Sequence, residues 1–153
     1  MRIPMKVDYG VRALVELAQR NGNQPVRTAE IAKKQHIPEP YLDQVLTALN
    51  KFGFIHSRRG PSGGHVLAKP PEEISLGDIM AKLEGRNAPL DCIEQPSECT
   101  LSAACAQREV WQSVEDAIEK VLNMTSIANL ASRQKMINFE EARPWSTPLA
   151  RVK

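Results

Sequence analysis

All three cysteines of the chain lie within one short stretch, DCIEQPSECTLSAACAQ, as Cys92, Cys99 and Cys105 with spacing C-x6-C-x5-C. Thiolates are natural ligands of iron–sulfur clusters and of zinc. The stretch is short, polar and punctuated by Pro96, which suits three side chains turning in towards one point. Helical patterning resumes near Thr100 and places Cys105 in a first helical turn, where the helix N-terminus favours an anion. Structural zinc sites usually pair their ligands across roughly two to four residues, closer than here, and add a fourth Cys or His. A dithiol switch would use two cysteines and leave one over. Chance grouping of three structural cysteines within the 14 residues from 92 to 105 is the remaining reading. Cluster, zinc and free thiol all stay open on spacing alone.

The compartment narrows the choice. No apolar run approaches the ~18 residues needed to span a bilayer, and the start MRIPMKVDYG lacks the apolar centre of a signal peptide. A cytoplasmic protein is expected, where disulfides are rare and clustered cysteines point to a metal or a redox role. A length of 153 residues with 42% hydrophobic and 25% charged side chains fits an ordinary globular domain, with or without an appendage. Charge is uneven along it. Residues 1–69 carry 11 Lys/Arg against 5 Asp/Glu, and residues 70–153 carry 9 against 13. The basic half calls for a polyanionic partner such as nucleic acid.

The elements that position these groups are legible in outline. Val7, Val11, Leu14, Val15 and Ala18 recur at helical spacing until NGNQP stops them. A second, shorter helix opens at Thr28 as its N-cap and runs to about Gln35. Pro40 starts a third, with Leu42, Val45, Leu46 and Leu49 on one face and Gly53 closing it. Two extended runs, Phe54 to Ser57 and His65 to Ala68, flank a Gly/Pro turn. A hairpin directly after a helix-turn-helix is the wing of a winged-helix domain. The fold class is therefore mainly α with a small β-hairpin wing, followed by a long dimerisation helix.

That architecture assigns roles. The third helix would enter the major groove, presenting Asp43, Gln44 and Thr47 to base edges and Tyr41 to a phosphate. In the wing, Arg58 and Arg59 would bind phosphates or the minor groove, while Gly60, Ser62 and Gly63 let the tip approach the backbone. The chain contains no nucleotide-binding glycine motif and no Ser/His/Asp grouping, so an enzyme is not expected. His36 and His56 read as surface residues.

Beyond the wing, Ser75 opens a short helix through a capping box, and Gly85 ends it. After the cysteines, Val110, Trp111, Val114, Ala117, Ile118, Val121 and Leu122 form a stripe too wide for a small domain to cover alone. A second copy of the helix is its expected partner, giving a homodimer that reads a pseudo-palindromic operator on double-stranded DNA. The domains follow as 1–70 for the winged helix, 71–107 for the linker helix and cysteine loop, 100–131 for the dimerisation helix with a short following helix, and 132–153 for a flexible tail.

MKVDYGVRALVELA, the run from IAKKQHIPEPYLDQV through HSRRGPSGGHVLAKPPEEISLGDI, LEG, and the cysteine spacing ahead of VW together resemble the iron–sulfur cluster regulator family over residues 1–131. The resemblance implies a dimeric winged-helix transcription factor that senses iron, redox state or nitric oxide. It implies a 4Fe-4S or 2Fe-2S cluster on Cys92, Cys99 and Cys105, with no membrane association. It places DNA contacts on Tyr41, Asp43, Gln44 and Arg59, where the family often has Glu at position 43 and Tyr at position 65, here His65. Some members carry a His two residues after the third cysteine, where this chain has Gln107. Nitric-oxide-sensing members place a carboxylate at the position of Asp8, which makes Asp8 the implied fourth ligand, reaching across from the partner subunit. Its alternative role is to cap the first helix.

Overall fold

The computed structural model describes residues 3–20, 24–85 and 88–139. Within these residues, seven helices and one hairpin follow in the order α1 (Met5–Gln19), α2 (Thr28–Gln35), α3 (Glu39–Lys51), β1 (Ile55–Arg58), β2 (Gly64–Leu67), α4 (Leu76–Leu83), α5 (Asp91–Glu94), α6 (Ala106–Met124) and α7 (Ile127–Phe139). Single 3-10 turns occupy Pro71–Glu73, Pro96–Glu98 and Ser102–Ala104.

The helical periods determine the core. Leu14 and Leu17 of α1, Ile31 of α2, and Leu42, Val45, Leu46 and Leu49 of α3 are all buried together. α2 ends where His36 takes a left-handed φ of 52°, dropping Ile37 into the core before Pro38 precedes α3. Gly53, with φ of 75°, turns the chain from α3 into the wing. Gly10 lets α1 approach closely, since a Cβ there would stand 2.9 Å from Leu83 of α4.

The hairpin pairs Ile55 with Leu67, His56 with Val66, Ser57 with His65 and Arg58 with Gly64, each strand beginning one residue away from its expected start. A third piece joins it. Val26 N–H donates to His65 O at 3.0 Å, and His65 N–H donates to Val26 O at 2.8 Å, so the residues ahead of α2 extend the wing sheet. Thr28 is accordingly the first residue of α2, and Arg27, in extended conformation, precedes it as the N-cap. The expected Thr28 cap gives way because its hydroxyl engages His65 instead.

α4 begins as expected, with Ser75 Oγ accepting from Asp78 N–H at 3.0 Å. α7 departs from expectation. It runs through Phe139, so residues 132–139 are helix rather than tail, and the rest of the expected tail lies outside the described residues. Its stability comes from packing along α1, with Ile127 and Ala131 buried. Its start is pinned where Ile127 N–H meets Ile74 O at 2.9 Å and Leu76 N–H meets Thr125 O at 2.9 Å. Among the described residues, no helix is long and apolar enough to cross a membrane.

Candidate nucleic-acid interface and cysteine loop

On α3 the buried and exposed residues divide cleanly. Leu42, Val45, Leu46 and Leu49 anchor the helix, which leaves Tyr41, Asp43, Gln44 and Thr47 exposed on its outer face. Tyr41 is 62% exposed. Thr47 Oγ1 donates to Asp43 O at 2.8 Å, which fixes the hydroxyl on the exposed face. Such a face offers an acidic acceptor, an amide and a methyl group, the functions that distinguish bases in the major groove.

The wing stands beside this face. Arg58, Arg59, Gly60 and Ser62 are exposed, and Gly63 N–H closes the turn onto Gly60 O at 2.9 Å. Two glycines are required by space. A Cβ on Gly63 would overlap the Arg58 carbonyl oxygen, and one on Gly64 would come within 2.7 Å of the Val26 backbone. Arg27 donates to Pro61 O at the wing tip. Sequence reasoning missed Val26 and Arg27, because neither carries a local pattern; their roles arise from pairing with the wing 34 or more positions along the chain.

His65 lies between wing and helices. Ser57 Oγ is 2.9 Å from Nδ1 and Thr28 Oγ1 is 3.0 Å from Nε2. Burial pushes its pKa below the ordinary value of 6.5, and the Asp43 carboxylate opposes that shift. His36 and His56 are exposed, as expected of surface residues.

The cysteines sit on a chain of one-turn pieces between α4 and α6. Cys92 is in α5, Cys99 follows the Pro96–Glu98 turn, and Cys105 is the extended N-cap residue of α6 rather than part of its first turn. All three are free and half-buried. Arg108 Nε donates to Cys92 O at 3.0 Å and ties the loop to α6. Among the described residues, no three His, Cys, Asp or Glu side chains gather closely enough to hold a metal ion. Three thiols are a donor set that fits an iron–sulfur cluster.

Asp8 lies in the first turn of α1 and pairs with Arg12, Oδ2 to Nη2 at 2.8 Å and Oδ1 to Nε at 3.2 Å. Its side chain does not cap the helix, whose N-cap is Pro4. Arg12 also donates to Gln35 O at the end of α2. The carboxylate is thus linked to the helix-turn-helix through Arg12.

No residue of α6 is fully buried. Val110, Trp111 and Val114 are exposed at 62, 39 and 38%, whereas Ile118, Val121 and Leu122 are half-buried. Ile118 and Leu122 line a cleft against Gly77 and Met80 of α4. The stripe therefore splits into a lower part against its own domain and an upper part facing outward.

Comparisons with known proteins agree with this architecture. Residues 3–133 match the family described as "Rrf2: Iron-dependent Transcriptional regulator". The transcriptional regulator CymR of Bacillus subtilis is 36% identical over 132 residues, covering 86% of this chain and 91% of CymR. A solved structure of CymR, titled the global cysteine regulator of B. subtilis, superposes with TM-score 0.75 at 34% identity, covering 87% of this chain and 98% of that one. The solved structure titled T. potens IscR superposes with TM-score 0.71 at 33% identity, covering 94% of each chain. These are regulators of transcription, not enzymes. A winged helix-turn-helix joined to a long exposed helix, matched over nearly the whole described chain, means that this protein belongs to the Rrf2 family of transcriptional regulators.

Proposed function

We propose that the chain acts as a homodimeric transcriptional regulator that binds a pseudo-palindromic operator and responds to iron, redox state or nitric oxide through an iron–sulfur cluster. The carrying observation is three free thiols on one loop immediately ahead of the exposed helix α6. The family description names iron, and the T. potens relative carries a regulator name of the same type.

In this reading Cys92, Cys99 and Cys105 hold the cluster as soft thiolates, and Asp8 of a second subunit supplies a harder, more weakly held carboxylate. A bound cluster supplies iron centres reactive towards oxygen and nitric oxide. Asp8 connects that site to DNA through α1, since its partner Arg12 reaches the end of α2. A change in what Asp8 binds therefore biases the helix-turn-helix, and two recognition helices reading half-sites about 34 Å apart tolerate little displacement.

A second reading keeps the DNA binding and makes the cysteines zinc ligands or redox thiols. It is favoured by the likeness to CymR, whose structure is titled a cysteine regulator.

Anaerobic purification with visible absorption and iron, sulfide and zinc analysis tests both. The cluster reading expects brown protein with iron and sulfide, lost in Cys99→Ala and less well retained in Asp8→Ala. Colourless protein carrying zinc or no metal sinks it and leaves the second.

A further inference from the structure

The wing of this protein hangs on one imidazole. Position 65 faces Ser57 across the hairpin, and side chains of directly opposed residues share a face. That places the ring towards the helices, where Thr28 Oγ1 approaches Nε2 at 3.0 Å while Ser57 Oγ holds Nδ1 at 2.9 Å. The backbone of the same residue makes both bonds of the bridge to Val26. Gly64 beside it has no room for a side chain against Val26. His65 thus joins β1, β2 and the start of α2, with Asp43 of α3 as the charged group facing it.

We infer that His65 is a positioning residue for DNA readout, fixing the angle of the wing relative to α3 through its bond to Thr28. The inference rests on the DNA-binding reading above. A ring kept neutral by burial has one donor and one acceptor nitrogen, and each hydroxyl can rotate to serve either. Such a tie constrains direction as well as distance. Losing it would leave the backbone pairing and the Arg27 bond to Pro61 to hold the wing, so the hairpin would persist while its tip wandered relative to the groove. Readout by α3 should survive; readout by Arg58 and Arg59 should blur.

The test is selection of duplexes from a randomised DNA library by the wild-type protein, followed by affinity measurements on the recovered duplex. His65→Ala should bind about tenfold more weakly, the scale of one or two missing hydrogen bonds. Its selected sites should keep the central half-site bases and lose preference in the flanks. His65→Gln, whose amide extends towards the Nε2 position, should recover most of the affinity. His65→Asn, whose amide stays near Ser57, should not. Thr28→Val should lose most of what His65→Ala loses, the remainder being the Ser57 bond, and the double variant should be no worse than His65→Ala, because Thr28 then has no ring left to hold. Variants within twofold of wild type, additive losses, or equal recovery by Asn and Gln would overturn the inference while leaving DNA binding intact. Failure of the wild type to enrich any sequence would overturn both.

Discussion

Glu16 is the one buried charged or polar residue among those described, with its side chain fully enclosed between α1 and α2. Arg20 Nε and Lys34 Nζ approach Oε1 at 3.1 and 2.9 Å, and Gln35 Nε2 donates to Oε2 at 3.2 Å. An enclosed carboxylate is tolerable only when hydrogen-bonded on both oxygens, as here. Its cationic partners are half exposed, at 45 and 49%, and can turn to water if it is removed. The loss is therefore smaller than for a wholly buried pair. Glu16→Ala should destabilise by about 2 kcal/mol from the cavity and the orphaned Gln35 amide. In a chain of this size that lowers Tm by roughly 4–8 °C, read by thermal unfolding. Glu16→Leu, which fills the space without the charge, should lose less than Ala; a larger loss would mean that the ion pairs outweigh packing.

At the scale of elements, α6 is anomalous in a single chain. Its upper part exposes Val110, Trp111 and Val114, and fully burying such side chains is worth about 1.5–3 kcal/mol each. In the homodimer proposed above, a second copy covers that surface, which accounts for a helix longer than its packing against α4 requires. Val114→Glu should yield a monomer by analytical ultracentrifugation while circular dichroism stays helical, because this part of α6 adds nothing to the core. A folded dimer in that variant would move the interface elsewhere. This stripe was readable because helical period is local, as were α1, α3 and the Ser75 cap. What escaped reading is non-local. Val26 joins the wing through residue 65, α7 is extended by its packing on α1, and Thr28 trades its cap role for a bond to a residue 37 positions away. The cysteine spacing is equally local, but which group the three thiols hold is not written in it, because soft donors suit a cluster and zinc alike.

For the whole molecule, charge separates along the chain as the functions do. Net charge is +6 over residues 1–69 and −4 over 70–153, from the Lys/Arg and Asp/Glu counts in each half. In the proposed homodimer, joining two copies through α6 doubles the basic surface offered to DNA, while the acidic half disfavours binding in the reverse orientation. Affinity should then depend steeply on salt, because each phosphate neutralised releases condensed counterions. Arg58 and Arg59 are exposed at the end of β1, and in the proposed DNA interface they are the phosphate ligands of the wing. Replacing both with Ala should lower the slope of log K against log salt by about two to four, roughly one for each phosphate that the two subunits no longer neutralise. Fluorescence anisotropy on a selected duplex across a potassium chloride series measures it. The variant and wild-type curves should converge at high salt, where screening has already removed what the arginines contribute. Parallel curves with a constant offset would instead assign these arginines to base edges in the minor groove, where their contribution is to sequence preference rather than to ionic attraction.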